Sequence, residues 1–248
     1  MSVSDLMAGL LFVFILIVMV FAYELNRVTR EQKRVVTDMT NAFQVRRELL
    51  EDVAEQMKRE GIHVVVDPEH GILRIPEKIL FASGSAEVSP SGQNAMSKLS
   101  HVLATVLPRY TGAPPPEFPP PDNENKFKGK VEAIFIEGHT DPIPLGPACP
   151  YKDNWDLSTQ RAMSAYKEMM AQRAELDSLR NARGQPIFSV SGYADRRPVG
   201  GDQSTNLTPE GRAGNRRIDL RFIMTPPRTS PEVVEEVERR LAEKSKIQ

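Results

Sequence analysis

The feature that most constrains this chain is an uncharged apolar run near its start. Residues 6–23 read LMAGLLFVFILIVMVFAY. As a helix this run rises about 27 Å, close to a hydrocarbon thickness of about 30 Å. A secretory signal peptide is the other reading of such a run. It fits poorly here. The preceding residues, MSVSD, carry no basic group, no small-x-small cleavage site follows in FAYELNRVTR, and the run exceeds an ordinary signal core. A retained membrane helix over residues 1–23 is therefore expected. Arg27, Arg30, Lys33 and Arg34 follow it. By the positive-inside tendency alone they would place the C-terminal side in the cytoplasm.

Past the run, residues 24–60 read as one further helix, since no Pro or Gly interrupts them. Leu25, Val28, Val35, Met39, Ala42, Leu49 and Val53 recur at three-four spacing, broken by Gln32, Arg46 and Gln56. Two readings fit this seam equally: a short coiled coil with a second copy, or an amphipathic helix packed on its own domain.

A globular domain is expected over 61–225. Short strands are read at 63–66 and 72–75, with a Pro68-Glu69-His70-Gly71 turn between them. Ser89-Pro90 opens a helix to about residue 107, with Ala95, Leu99, Val102, Leu103 and Val106 on its apolar face. Residues 112–130 form a Pro-rich, charged insertion. A buried strand follows at 131–136, a helix at about 157–175, and strands at 188–191 and 218–223. Residues 226–248 are read as a short helical tail, with Ser230 as cap and Pro231 in the first turn. Strands alternating with helices imply an α+β chain whose domain is a mixed sheet with helices packed on one face.

Chemistry that the chain lacks narrows its function. No P-loop, nucleotide fingerprint, nucleophile triad or metal-ligand spacing occurs, so no enzymatic activity and no cofactor are expected. His63, His70, His101 and His139 are scattered. Cys149 is the sole cysteine, which excludes an intramolecular disulfide. A net charge of −1 lacks the basic excess of a nucleic-acid binder.

Five segments in order carry a positive signal. They are Phe81-Ala82-Ser83-Gly84-Ser85-Ala86, Gly138-His139-Thr140-Asp141, and Asn154-Trp155-Asp156-Leu157-Ser158-Thr159-Gln160-Arg161-Ala162. Val190-Ser191-Gly192-Tyr193-Ala194 with Pro198 comes next, then Asn215-Arg216-Arg217. This set resembles the OmpA-like peptidoglycan-binding domain family over about residues 62–224. It departs at Tyr193-Ala194, where the family has its second glycine, and in the Pro-rich insertion. The resemblance implies that Asp141 and Arg161 form the ligand pair. Asn154, Leu157 and Ser158 would position the loop and helix start, and Arg217 would support the pocket. Asn215 and Arg216 have no unique assignment. The chemistry agrees, because a diaminopimelate stem offers an ammonium and a carboxylate on one side chain. An aspartate and a fork-shaped guanidinium read that pair. A purely structural Asp–Arg bridge is the alternative.

A second resemblance lies at the membrane. Asp5, in Ser4-Asp5-Leu6-Met7-Ala8-Gly9, is similar to the ion-carrying aspartate of the MotB-type stator helix. The alternative is a helix cap at the membrane surface. Together the two resemblances imply an inner-membrane protein with a cytoplasmic N-terminus, opposite to the charge rule, and a periplasmic domain bound to peptidoglycan. They further imply transport of H+ or Na+ and a homodimer held by a MotA-like multi-pass partner, with about five partner copies to two of this chain. The short stretch before Asp5 and the extra tail turn the expectation from flagellar MotB toward the ZorB-like subunits of Zorya anti-phage systems.

Overall fold

The computed structural model describes residues 3–112 and 127–226. The tail helix expected after residue 226 and most of the Pro-rich insertion lie outside them. The chain divides into two units, one holding residues 1–41 and the other Ala42–Thr225.

The first unit holds the N-terminal part of helix α1 (Val3–Arg59). From Met7 to Tyr23 its large apolar side chains are exposed, and α1 is the one described helix long and apolar enough to cross a membrane. The two halves of the expected seam differ. Leu25, Val28 and Met39 are exposed, whereas Leu49, Leu50, Val53 and Met57 are buried in the core of the second unit. Over its last turns α1 is thus an amphipathic helix packed on its own domain. The domain begins at Ala42 rather than at residue 61. Helix α1 ends where Gly61 takes a positive φ of 78° and Ile62 N donates to Met57 O at 2.9 Å, a glycine-terminated helix end.

The second unit is a five-stranded mixed sheet. Its strands are β1 (Val65–Asp67), β2 (Ile72–Pro76), β3 (Val131–His139), β4 (Phe188–Gly192) and β5 (Arg217–Met224). Their spatial order is β1-β2-β5-β3-β4, antiparallel except for the parallel β3–β4 pair. Helices α3 (Pro90–Val106) and α4 (Asn154–Gln172) cover one face, against Leu73, Ile75, Ile134, Ile136, Ile218, Leu220 and Phe222. Two short helices escape the periodicity of the sequence: α2 (Glu77–Leu80) and α5 (Pro209–Asn215). Each is too short to show a repeat. Caps mark the longer starts, as the sequence suggests for α3, where Ser89 Oγ accepts from Gly92 N at 3.1 Å.

The register of β5 decides which charges meet. Glu137 pairs across from Asp219, Phe135 from Arg221, and His139 from Arg217. With side chains alternating in direction, Ile218, Leu220 and Phe222 enter the core, while Arg217, Asp219 and Arg221 take the other face.

Candidate functional site

The site is built where α4 begins, and two glycines let it begin there. A Cβ on Gly138 would collide with the Ser158 carbonyl, and one on Gly192 with Thr159. Without those carbons the first turns of α4 lie directly on the C-terminal ends of β3 and β4. Asp153 Oδ1 caps the helix by accepting from Asp156 N at 2.9 Å. That start lies three residues before the expected one at residue 157.

The positioning residues then lock the loop. Asn154 Nδ2 donates to Asp141 O and Ile143 O, both at 3.1 Å. Ser158 Oγ donates to Trp155 O at 3.0 Å and accepts from Ala194 N at 3.1 Å. Leu157 is buried beside them. Tyr151 and Cys149 tie the 142–153 loop to the Gly84–Ala86 segment: Ala86 N donates to Tyr151 Oη at 2.9 Å, and Cys149 Sγ lies 3.6 Å from Gly84 O.

Asp141 and Arg161 do not pair directly. The structure instead places a chain of alternating charges across the helix start. Arg161 Nη2 donates to Glu77 Oε1, and its Nε donates to Ser85 O at 2.8 Å. Arg216 Nε meets Glu77 Oε2 at 2.7 Å, and its Nη1 donates to Asp141 Oδ2 at 2.6 Å. Asp141 Oδ1 also accepts from Ile143 N at 3.1 Å. Arg161 is 2% exposed and stands over the Phe81 ring, whereas the Arg216 side chain is 35% exposed. Arg216 is therefore the more reachable cation. Burial pulls Arg161 below the ordinary guanidinium value. Burial also opposes the charge on Arg216, but the hydrogen bond to Asp141 and the charge of Glu77 more than offset it and raise the pKa.

Two members of this chain were not legible beforehand. Glu77 precedes the Phe81–Ala86 motif, and nothing in its spacing marks it. Arg216 had no unique assignment. Arg217, expected to support the pocket, is not brought to it. It is buried on the opposite face, where Nε donates to Asp219 Oδ2 at 2.9 Å and Nη2 to Arg197 O at 3.0 Å. Successive residues entering a strand face opposite ways, so only one of the two arginines can reach the site. Asn215 is a scaffold residue whose Oδ1 accepts from Val199 N at 2.8 Å.

Arg217 belongs to a second, buried charged network on the sheet face opposite α3 and α4. Glu137 is held by both arms of Arg221 at 2.8 Å, and Asp219 by Arg217 and by Arg74 at 3.1 Å. Burial alone would raise Glu137. The adjacent His139 ring and the Arg221 fork reverse this and hold the carboxyl at about 2. Burial pushes the His139 imidazole below its usual value. Glu137, His139 and Asp219 lie close enough together to suggest a metal site. The charges argue otherwise, because a divalent cation there would face three guanidinium groups already paired with both carboxylates. His139 instead stacks on Tyr193, with ring centroids 5.4 Å apart.

Ala194, at a position where the OmpA-like resemblance expects a glycine, has a positive φ of 48° and is buried. Its N–H holds Ser158 and its carbonyl accepts from Thr140 N at 2.9 Å. A left-handed L-residue costs about 1–2 kcal/mol, partly offset by the entropy a glycine loses on folding. Ala194→Gly is expected to stabilise the domain by about 0.5–1 kcal/mol and raise Tm by about 2 °C. Thermal unfolding followed by circular dichroism checks this, and a lowered Tm contradicts it.

No family model matches the chain. YtxE of Bacillus subtilis is 28% identical over 149 residues, covering 60% of this chain and 46% of that protein. YiaD of Escherichia coli is 24% identical over 166 residues, covering 67% of this chain and 57% of that protein. The chain spans about half the length of the curated relatives it matches. Among solved structures, a MotB like protein from Desulfovibrio vulgaris superposes with a TM-score of 0.52 at 19% identity, covering 75% of this chain and 98% of that one. The chain has a MotB-like fold. The expected α+β class, with helices on a mixed sheet behind a long apolar N-terminal helix, is the class observed.

Proposed function

We propose that this chain is a wall-anchored membrane subunit. In this reading the apolar segment of α1 crosses the inner membrane with the N-terminus in the cytoplasm. The Ala42–Thr225 unit lies in the periplasm and grips diaminopimelate-bearing stems of peptidoglycan. The observation that carries the reading is the alternating Arg161–Glu77–Arg216–Asp141 chain at the start of α4. It sets guanidinium and carboxylate groups side by side where a ligand end with one ammonium and one carboxylate can exchange into them. The likeness to a MotB like protein supports the same assignment at the level of the fold.

The finer reading makes the complex an ion-driven stator. Two copies of the chain would sit within a ring of MotA-like partner, Asp5 would load H+ or Na+, and the output would serve anti-phage defence as in ZorB-like subunits. A passive inner-membrane anchor shares the wall site and differs only in what Asp5 does.

The wall site is tested in the Ala42–Thr225 unit by pull-down with purified sacculi. Asp141→Ala and Arg161→Ala are each expected to weaken binding by about thirtyfold or more, since truncating one member of a buried charged pair costs about 2–5 kcal/mol. Circular dichroism serves as the control for folding. Unchanged binding by both folded variants overturns the assignment.

A further inference from the structure

We propose that Glu77 is a built-in competitor of the wall ligand, which binds by evicting the Glu77 carboxylate from the guanidinium groups of Arg161 and Arg216. The inference rests on the wall-binding reading above and concerns the same site.

Three observations carry it. First, both oxygens of Glu77 are committed, Oε1 to Arg161 and Oε2 to Arg216 at 2.7 Å. A ligand carboxylate that is to be read by Arg161 finds its place filled. Second, the four groups form a balanced set of two guanidinium and two carboxylate groups, so the resting site is neutral. A ligand end that brings one carboxylate and one ammonium preserves that balance. Its ammonium can take Asp141 from Arg216, and its carboxylate can take a guanidinium from Glu77. A simple monocarboxylate evicts Glu77 and gains nothing from Asp141. Third, Glu77 is the first residue of the short helix α2, and its backbone N–H is anchored to Arg216 O at 3.0 Å. The side chain can therefore leave by rotation about its own bonds while the backbone stays.

The neutral set favours a zwitterion over a net anion, and the occupied site lowers the affinity for either. A site occupied by an internal group has its apparent affinity reduced by the fraction of time that group is absent. Glu77 thus keeps the wall contact weaker than Arg161, Arg216 and Asp141 alone would make it.

The test uses the full chain in detergent micelles, with the wild type, Glu77→Gln and Glu77→Asp. Binding is measured by co-sedimentation with diaminopimelate-containing sacculi, and by calorimetry with free meso-diaminopimelate and with butyrate, a monocarboxylate. Removing the competing charge in Glu77→Gln is expected to tighten sacculus binding about tenfold, and the shorter arm in Glu77→Asp about threefold. The preference for meso-diaminopimelate over butyrate is expected to fall in Glu77→Gln, where two guanidinium groups face one carboxylate, and to persist in Glu77→Asp, which keeps the neutral set. If Glu77→Gln does not fold, Glu77→Asp decides alone. Weaker or unchanged binding by the folded variants, with wild type binding normally, makes Glu77 a positioning residue for Arg161 and overturns the inference while leaving the wall site standing. Wild-type protein that ignores sacculi overturns the wall-binding reading, and this inference with it.

Discussion

A soluble fragment beginning at Gly61 is expected to remain unfolded, and one beginning at Ala42 to melt cooperatively. The difference lies in the last turns of α1. Leu49, Leu50, Val53 and Met57 are fully buried there, in one cluster with Leu99, Leu103, Tyr110 and Phe222. Burying a large apolar side chain contributes about 1.5–3 kcal/mol. The four together contribute on the order of 6–12 kcal/mol, as much as the whole stability of a typical domain at about 5–15 kcal/mol. Removing them also uncovers the apolar side of the sheet and α3, which favours aggregation. Far-UV circular dichroism and thermal unfolding of the 42–225 and 61–225 fragments compare the two directly. A cooperative transition in the shorter fragment would show that α1 is dispensable and that the boundary lies at its end.

The same helix shows where sequence reasoning stops. Its seam has one spacing from Leu25 to Val53, yet Met39 is exposed and Leu49 is buried. Periodicity reports that a face is apolar and leaves open what covers it. Strands, caps and turns were legible because their signals are local. The apolar run at 131–136 marked β3 as a buried strand, and Ser89-Pro90 marked α3. The charged site was legible only in part. Asp141, Asn154, Ser158 and Arg161 sit in spaced motifs, and the structure gathers them at one helix start. Glu77 and Arg216 reach it from separate segments of the chain. Their pairing follows from the β2–β5 register, in which Pro76 lies opposite Arg217. Which of Arg216 and Arg217 reaches the site is set by the sheet face each takes, and the Asn215-Arg216-Arg217 triplet does not state which residue enters the strand first.

Asp5→Asn is expected to abolish ion-coupled activity while leaving expression, membrane insertion and sacculus binding intact. Asp5 lies in the first turn of α1, directly before the apolar run. A carboxylate at the centre of a membrane helix costs about 2.5–3.5 kcal/mol, and less near the interface. An ion carrier recovers that cost by binding its ion, since protonation removes the charge and lets partner helices move past. Asn keeps the size and hydrogen bonding of Asp but cannot take up a charge, so the change separates titration from packing. In a passive anchor Asp5 only serves the helix start. There Asn caps as well as Asp, and the lost dipole interaction amounts to about 0.3–1 kcal/mol, too little to affect wall attachment. Asp5→Glu divides the readings further, because it keeps a carboxylate at a shifted depth and should retain partial activity in a stator. The measurement is proton or sodium flux in vesicles holding the chain with a MotA-like partner, beside sacculus binding of the same variants. Full flux through Asp5→Asn, or no flux through the wild type, would leave the passive anchor as the function of the chain.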